Sequence, residues 1–432
     1  MVALFLLLVS CNAPQADQNA VDAADELKMD ASQEAPDNSP PRIPRVYSVS
    51  TDDIRNSMEY GVSYLRGVQH PEHGGMHKYY YPTIDELEPN LYTVYTASFA
   101  LALLNQQEGN GVPIDATRAA DFLLKMQNTE EGDLRRGAFA YMYALETEEK
   151  EERYVVGTTS KAIYTLIELH ERTSEDRYLQ AAELGGDWLL TMILPAGNVK
   201  SYTRLNEDGR WVSGSSDSTL YNGQVLSALS RLYSHTGQER YLEGARKITS
   251  YFLQKVDREG CYVGDGYRDP NPISSAWILY SLIDFNTAQP DPSVEYLILN
   301  CARELLDKQL TDTSDLRRYG RWSDSFSTSG TSWIAEVLVE VYEFCEEQGE
   351  RDCNEFRDAI VRAIRWLLQH TYSDAYAAHL PNPSSAIGGL FWGPGLLDRY
   401  IRTDSVSHAL NVYSGILPLL QQDGVLLDVT PR

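Results

Sequence analysis

The residues best suited to chemistry stand near the end of the chain, in the segment IRTDSVSHALNVY at residues 401–413. Asp404 and His408 are four residues apart, so they share one face if this segment is a helix. A carboxylate beside an imidazole fixes the tautomer of the ring and raises its basicity, which suits proton transfer near neutral pH. Two plainer readings stay open: Asp404 is a favourable charge at a helix N-terminus, and His408 is a core histidine.

Further polar and aromatic side chains occur between the predicted helices, in SDSTLYNG, REGCYVGDGYRDPNP, DLRRYGRWSDS and GGLFWGPG. Aromatic faces stack on sugar rings while polar groups bind hydroxyls, which is the usual content of a concave site for a small ligand. For any single aromatic residue, the alternative is that it only holds a long loop onto the protein body. For the whole collection we predict a cleft that binds an oligo- or polysaccharide.

Arginines in these segments are informative because the chain has a formal net charge of -25. Arg318 closes the second of two DLRR segments, and Arg321 and Arg402 follow in other parts of the predicted loops. Arginine binds carboxylates bidentately, so this set suggests a uronic acid as ligand. Pairing with aspartates nearby in sequence is an equal alternative. The large negative charge argues against nucleic acid as a partner.

Two kinds of reaction follow from these residues. In an epimerisation or elimination, His408 or Tyr221 moves a proton at the carbon beside the substrate carboxylate, and Asp404 orients His408. Glycoside hydrolysis instead needs two carboxylates across the cleft. The candidates for that pair are Asp217, Asp265, Asp324 and Asp404. We therefore predict the following catalytic residues: His408, Asp404, Tyr221, Asp324 and Asp265. The predicted substrate-binding residues are Arg402, Arg318, Arg321, Trp322, Asn222, Tyr267 and Trp392.

The cysteines show no metal-binding pattern. No CxxC pair occurs, so we predict neither a structural metal site nor a cofactor. Cys345 and Cys353 flank a predicted helix–helix turn, and they either pair in an oxidising compartment or stay buried as thiols.

A repeat indicates how the candidate residues are positioned. LIELHERTSEDRYLQAA, from Leu166, resembles LSRLYSHTGQERYLEGA, from Leu229, which begins 63 residues later. Self-similarity at a fixed period indicates a repeated supersecondary unit. Apolar residues inside the unit follow a helical period, so each unit is a helix, a short turn and a second helix. Weaker copies recur at intervals near sixty residues.

Twelve helices in six hairpins predict an all-α fold, a closed (α/α)6 toroid over residues 46–432. The first helices of the hairpins are poor in charge, which predicts a buried inner ring. They are expected to begin near Leu91, Val155, Thr219, Ser274, Ser332 and Asp404. The loops that lead from outer to inner helices are long, and loops of that length are usually functional. These long loops meet at one rim of the ring, so we expect the segment from Arg402 to His408 to lie at the mouth of a funnel.

The N-terminus MVALFLLLVSCNAPQ predicts export. Its apolar run is too short to span a bilayer but fits a secretory signal. LVSC resembles a bacterial lipobox, so residues 1–11 are read as a lipoprotein signal with Cys11 as the lipidated residue; a plain signal peptide is the alternative. Residues 12–45 lack large apolar groups and predict a flexible linker. We expect a protein of the bacterial cell envelope, periplasmic or at the cell surface, that meets the membrane only through its lipid.

The hairpin repeat, the RYLEGA-type helices and the aromatic loops resemble six-hairpin (α/α)6 carbohydrate-active enzymes over residues 50–425. Within that group, TLYNGQVLSALSRLY and RTDSVSH are similar to segments of the C-terminal domain of D-glucuronyl C5-epimerases. That family has a β-rich region before the toroid, which this chain lacks. The repeat also resembles N-acylglucosamine 2-epimerases and unsaturated glucuronyl hydrolases. The resemblance implies an enzyme that acts on uronate-containing glycans as an epimerase, lyase or glycoside hydrolase.

A second interpretation has the same toroid fold but no catalytic activity. On this reading the chain is a non-catalytic surface lipoprotein that binds a glycan or a peptide, because fold alone does not determine function. It predicts saturable binding without product.

Overall fold

The computed structural model describes residues 43–107, 111–214, 217–325, 327–393, 395, 399–420 and 424–430. The predicted signal with Cys11, and the linker up to residue 42, lie outside the described residues. Fourteen helices occur in the described parts of the chain. Their bounds are α1 Thr51–Val68, α2 Thr93–Asn105, α3 Ile114–Met126, α4 Val156–Thr173, α5 Asp176–Thr191, α6 Thr219–Thr236, α7 Glu239–Glu259, α8 Pro272–Ala288, α9 Pro292–Leu306, α10 Thr328–Glu347, α11 Asn354–Gln369, α12 Asp374–Ala377, α13 Pro383–Ala386 and α14 Thr403–Ile416.

Six of these helices close into a ring. The order of contact is α2, α4, α6, α8, α10 and α14, and α14 packs back against α2. Five outer helices, α3, α5, α7, α9 and α11, each pack on the inner helix that precedes them in sequence. The sixth hairpin joins the two ends of the chain, because α1 packs on α14. The predicted (α/α)6 toroid and its inner and outer rings are therefore confirmed.

The two rings differ in burial as their sequences predict. In inner helix α8, 13 of 17 residues are buried, whereas in outer helix α7 only 9 of 21 are buried. A helix that is apolar on most sides is stable only when it is enclosed by other elements. The outer helices bury one stripe and expose charged residues. Composition thus decides which helix of each hairpin faces the centre.

The repeat has a physical basis in bonds between successive outer helices. Gln127, after α3, donates from its side chain to the carbonyls of Gly137 and Ala181, and Gln309, after α9, donates equivalently to Gly320 and Ala359. Gly137 has φ 97°, and a Cβ there would lie 1.9 Å from the carbonyl oxygen of Leu184. Only glycine permits this approach of a loop to the next outer helix. The sequence analysis did not use this glutamine and glycine signal.

The long loops contain small antiparallel sheets that the sequence analysis did not predict. Three hairpins each pair with the strand that leads into an inner helix. β2 (Tyr79–Tyr81) and β3 (Glu86–Leu87) pair with β10 (Ile401–Arg402), before α14. β5 (Met142–Ala144) and β6 (Glu149–Lys150) pair with β4 (Leu91–Tyr92), before α2. β8 (Tyr202–Leu205) and β9 (Trp211–Gly214) pair with β7 (Arg153–Val155), before α4. These sheets fix the starts of the inner helices at the mouth.

Covalent and terminal links complete the fold. Cys345 and Cys353 form a disulfide, which was one of the two outcomes left open by the sequence. Cys261 and Cys301 form a second disulfide that was not predicted. At the chain ends, β1 (Ser48–Ser50) pairs antiparallel with β11 (Val425–Asp428). Within the described residues, no helix combines the length and the apolar character needed to cross a membrane.

Candidate functional site

The inner helices place their side chains in layers below the mouth. One residue stands five positions after the start of each inner helix, and a helix rises 1.5 Å per residue, so these residues lie about 7–8 Å from the start. We call these six residues the central layer: Ser98, Lys161, Gln224, Trp277, Trp333 and His408. All six are buried but retain between 3% and 8% exposure. The spacing from Ser98 to Lys161 and from Lys161 to Gln224 is 63 residues, which is the period of the repeat.

Lys161 crosses the centre of the ring. Its Nζ lies 5.0 Å from the ring centroid of Trp333 and 5.1 Å from that of Trp277. Lys161 belongs to α4 and Trp333 to α10, which are opposite each other in the six-membered ring. The two indoles stack with centroids 3.9 Å apart. The lysine stem therefore spans the barrel, and the ammonium group lies against an aromatic wall, where cation–π attraction favours it.

Lys161 lacks a carboxylate partner. None of the ion pairs formed in the centre by described residues includes its Nζ. The pKa of Lys161 is lowered to about 8, chiefly by burial; Glu336, Asp404 and Asp284 oppose this shift, and Arg231 adds to it. The pKa falls because desolvation disfavours the charged form. A buried lysine with a lowered pKa and no paired carboxylate is a candidate functional residue, which can attract an anion when charged and accept a proton when neutral.

His408 faces the same layer, and its carboxylate partner is Glu336. The His408 Nδ1 atom lies 2.5 Å from Glu336 Oε2, and Asn411 donates to the other oxygen of Glu336 over 3.0 Å. The ring of His408 packs edge-on against Trp333 at 5.3 Å. The sequence predicts Asp404 as the residue that orients His408, but the carboxylate in contact with His408 Nδ1 is that of Glu336. Glu336 takes this role because it lies one layer below on α10, a helix from which we had selected no residue.

Asp404 is occupied by a different partner at the mouth. Arg402 donates to both carboxylate oxygens of Asp404, over 2.6 Å and 2.5 Å, and also to Ser329 Oγ over 2.9 Å. The guanidinium group lies 4.3 Å from the ring centroid of Trp392. Trp392 in turn stacks on Tyr400 with centroids 6.0 Å apart. The three predicted residues Arg402, Asp404 and Trp392 therefore do meet at the mouth, directly above His408.

Aromatic residues continue around the mouth. The Nζ atom of Lys78 lies between 5.0 and 5.9 Å from the rings of Tyr79, Tyr92 and Tyr95. Tyr221 stands in the first turn of α6, and its ring packs against Gly157 at the start of α4. Gly157 leaves the room that this ring occupies. The predicted position of Tyr221 on the mouth side is thus consistent with the fold.

A charged layer closes the barrel below. Arg231 and Asp284 form an ion pair at 3.0 Å, and Arg231 also donates to the Tyr280 hydroxyl over 2.8 Å. Burial raises the pKa of the nearby Glu340 to about 7. Arg231, Asp284 and Glu340 each stand twelve residues after the start of their helix, about 10 Å below the central layer.

The loop between α7 and α8, residues 260–271, is structural where we predicted a site. The side chain of Asp265 is fully buried, and it accepts hydrogen bonds from Arg268 and from the backbone N–H of Thr219. Asn222 is fully buried; its side-chain oxygen accepts a hydrogen bond from the backbone N–H of Val199, and its side-chain nitrogen donates to Asp217. These polar groups fix the start of α6, and neither residue belongs to the central layer where the predicted catalytic and binding roles would place them. The hydroxyl of Tyr267 pairs with Ser218, which caps the same helix.

The segment between α9 and α10 contributes less than predicted. Trp322 is fully buried and donates from its indole to the carbonyl of Leu305, so it is a core residue. Arg321 donates to the carbonyls of Trp322 and Ser325 within its own loop. Arg318 is exposed, and Asp324 is exposed and accepts from Tyr262 over 2.6 Å. The predicted carboxylate-binding set of Arg318, Arg321 and Arg402 is not brought together at the centre.

Lys161, Glu336, Trp277 and Trp333 were missed. A signal was present: Lys161 and Glu336 are isolated charges in otherwise uncharged inner-helix segments, GTTSKAIYTLI and SWIAEVLV. A charge inside a helix that is buried on most sides is costly unless it is used, so such positions are candidates for function. Most polar and aromatic candidates occur in the loops, whereas the apolar helix bodies are typical of a core, so these four positions are easily overlooked in the sequence.

The histidines near the first loop have no metal-binding geometry. His73 and His77 have a spacing that occurs in metal sites, and His70 stacks on His73 at 4.9 Å. However, His70 Nδ1 accepts from the backbone N–H groups of Glu72 and His73, and His77 Nδ1 lies 2.6 Å from the carbonyl of Glu88. In the described residues, no group of three or more potential ligands could hold a metal ion.

Comparison with known proteins supports the fold alone. No protein-family model matches the chain, and no curated protein matches its sequence. The structure is similar to that of cellobiose 2-epimerase from Bacillus thermoamylovorans, with a TM-score of 0.64, 14% identity, and coverage of 86% of this chain and 99% of that one. An unsaturated glucuronyl hydrolase specific for heparin matches with a TM-score of 0.61, 13% identity, and coverage of 86% and 99%. A GH76 α-mannanase from Bacteroides thetaiotaomicron matches with a TM-score of 0.60, 9% identity, and coverage of 84% and 94%.

Proposed function

We propose that this protein is an enzyme that acts on uronate-containing glycans by moving a proton at the carbon beside the uronate carboxylate. The observation that carries the proposal is the central layer, where an unpaired Lys161 and the His408–Glu336 pair lie against the same indole, that of Trp333. The similar structures include enzymes named for sugar epimerisation and for unsaturated glucuronyl hydrolysis, which supports a carbohydrate substrate.

Lys161 binds the substrate carboxylate in this proposal. The sequence assigns this role to arginines, but among the described residues of the centre Lys161 is a buried cation that forms no ion pair, so we assign the role to it. A carboxylate that is neutralised by an ammonium group withdraws electrons more strongly from the adjacent C–H bond. The proton at C5 of the uronate therefore becomes easier to remove.

His408 moves that proton. With Glu336 accepting from Nδ1–H, the imidazole is held in the tautomer that leaves Nε2 as the base. Epimerisation requires a proton to return on the other face of the ring, whereas elimination expels the substituent at C4. Trp277 and Trp333 provide a flat apolar surface against which a sugar ring stacks.

Hydrolysis by the predicted aspartates has less support. Asp265 and Asp217 are engaged in fixing α6, and Asp324 is exposed outside the centre. Asp404 lies at the mouth above the central layer, where Arg402 donates to both of its oxygens. A pair of carboxylates across a cleft, which hydrolysis needs, is therefore not available from this set.

The cellular setting is part of the proposal. We infer that the protein is exported and lipid-anchored through Cys11 in the bacterial cell envelope, with the lipid as its only contact with the membrane. The two disulfides, Cys261–Cys301 and Cys345–Cys353, support export because disulfides persist in oxidising compartments. The net charge of -25 disfavours nucleic acid as a partner.

A non-catalytic glycan-binding protein is the second candidate. The Trp392–Tyr400 stack and the three tyrosines around Lys78 favour it, because aromatic mouths bind saccharides without chemistry. The two candidates differ in whether any bond to carbon is broken.

The test is incubation of the purified full-length chain with neutral and uronate oligosaccharides in deuterated buffer. Three signals are followed: deuterium at C5, ultraviolet absorbance of an unsaturated uronate, and new reducing ends. We expect one of the first two signals with uronates alone, about 100- to 10,000-fold weaker in His408→Ala, since general acid–base catalysis contributes that factor.

The matched control is His235→Ala. His235 lies at the far end of inner helix α6 and pairs with Glu171, so turnover should be unchanged. Binding of a glycan without any of the three signals would support the second candidate instead. Full activity of His408→Ala would remove His408 from the mechanism.

A further inference from the structure

A groove with several arginines in its lining lies apart from the central layer. Its volume is about 1100 Å³, and none of its lining residues belongs to an inner helix. They come from the segment before β1, the α9–α10 loop, the end of α11, the loop before α14 and the end of β11. This volume is at the upper end of what small-molecule sites occupy.

Arg399 lines this groove and is incompletely satisfied. Its side chain is buried, with 8% exposure, and no described residue accepts a hydrogen bond from its Nε or Nη1 atom. The guanidinium group lies 4.5 Å from the ring centroid of Phe391 and 5.6 Å from that of Tyr376. Aromatic contacts hold the arginine in place but do not provide the anionic acceptor that a buried guanidinium needs.

A second arginine near His370, Arg365, forms no ion pair with a carboxylate among the described residues. Arg365 is fully buried and donates to the carbonyls of Val46, Leu316 and Tyr319 and to the side chain of Gln369. These acceptors are neutral, so its charge remains uncompensated.

The neighbouring His370 is affected by the positive charges of these arginines. The pKa of His370 is lowered to about 3, chiefly by burial, and the charges of Arg399, Arg365 and Arg321 contribute to this shift. The His370 Nε2 atom is also buried without a partner among the described residues. Positive charge therefore accumulates here in a chain whose net charge is strongly negative.

The acidic residues of the groove do not cancel this charge. Asp315 lies 3.9 Å from Arg317, and Asp428 accepts from the backbone N–H of Thr430. Arg45, Arg317 and Arg399 line the groove with these two aspartates, and Arg365 lies behind them. Among the described residues that line the groove, arginines outnumber carboxylates by three to two, and Arg365 adds a further positive charge behind them.

We propose that this groove is a binding site for an oxyanion, a carboxylate or sulfate group, with Arg399 as the residue that holds it. An anion seated in the groove would compensate the buried guanidinium, and the exposed Arg45 and Arg317 would extend the contact. The proposal does not depend on the function of the central layer, because the two sites share no residue.

The test measures thermal unfolding of the full-length chain with sodium sulfate, sodium galacturonate or glucose, at an ionic strength matched with sodium chloride. We expect sulfate, galacturonate or both to raise the Tm of the unmodified chain in a saturable way, and glucose to have no effect. In Arg399→Met the saturable rise should be lost, with affinity weakened about ten-fold or more, since a charged hydrogen bond contributes at least that factor. A response to sulfate alone assigns a free inorganic anion, and a response to galacturonate alone assigns an acidic sugar.

The control is Arg318→Met, since Arg318 is exposed beside Arg317 but does not line the groove. It should respond like the unmodified chain. Without added anion, Arg399→Met should be at least as stable as the unmodified chain, because it removes a buried charge that lacks a partner. Any one of three results refutes the proposal. The two variants respond equally to added anion, Arg399→Met is less stable than the unmodified chain without added anion, or the unmodified chain responds to neither anion.

Discussion

The central layer and the α7–α8 loop are both polar, both partly or fully buried, and both close to the mouth, yet they use their charges in opposite ways. In the loop, Asp265 accepts hydrogen bonds from Arg268 and from the start of α6, so its charge is compensated within the protein. In the central layer, Lys161 has no carboxylate partner, and Trp333 has a buried indole N–H without an acceptor among the described residues.

This difference separates structural polarity from functional polarity. A buried group whose partners are all in the protein stabilises one conformation and has nothing left for a ligand. A buried group left without a partner costs free energy in the folded state, and a ligand can recover that cost. From sequence, Asp265 and Lys161 could not be ranked in this way, because the ranking depends on what surrounds each of them.

The largest effect is expected from removal of Asp265. Asp265→Ala leaves Arg268 and the first N–H of α6 without their acceptor, and breaking a buried ion pair costs about 3–5 kcal/mol in the free energy of unfolding. Asp324→Ala removes an exposed aspartate from the neighbouring loop and should cost less than about 1 kcal/mol. Urea denaturation compares the two variants. Equal costs would mean that Asp265 does not have the structural role assigned to it.

The second-largest expected effect is a stabilisation of the folded chain. Lys161→Met should raise the free energy of unfolding by up to about 3 kcal/mol near pH 7, since the pKa falls from 10.5 to about 8 and each unit is worth about 1.4 kcal/mol. The unfolded chain holds the proton up to higher pH than the folded one. The destabilisation is therefore complete below pH 8 and disappears as the pH rises toward the unfolded value.

The matched control is Lys255→Met in outer helix α7. Lys255 is equally buried but pairs with Glu259 at 2.9 Å, so its replacement should not stabilise the chain. Chemical denaturation at pH 7 and at pH 10 gives both comparisons. If Lys161→Met is destabilised at both pH values, Lys161 is a structural residue and the contrast with Asp265 fails.

The smallest effect is a pH dependence of substrate binding. If charged Lys161 holds a carboxylate, affinity for uronates should fall about ten-fold per pH unit above pH 8, because the neutral amine has no charge to offer. Lys161→Arg should shift this alkaline limit upward, since arginine stays charged. The measurement is the affinity for a uronate oligosaccharide, obtained by titration at several pH values for both proteins. An affinity that is unchanged between pH 7 and pH 10 would contradict the role of Lys161.

The fold was predictable because its signals are local. Periodicity placed the starts of inner helices within four residues of the observed ones, as for Ser332 against Thr328 and Asp404 against Thr403. The loop hairpins were not predicted because their strands are two to four residues long, and their pairing joins segments that are distant in sequence. The second disulfide joins Cys261 and Cys301, 40 residues apart, and sequence spacing gives no indication of such a pair.

The sequence by itself determined twelve long helices, their alternation between buried and charged forms, and the position of Arg402 and Asp404 at the mouth of the ring, with His408 one turn of helix after Asp404. Hydrophobic period and the 63-residue repeat are sufficient for this, because each is set by residues close in the chain. Only the tertiary structure decided that His408 pairs with Glu336, 72 residues away, and that Lys161 reaches across the ring to Trp333. Ring closure brings these residues together, and whether a buried charge finds a partner depends on every helix that surrounds it.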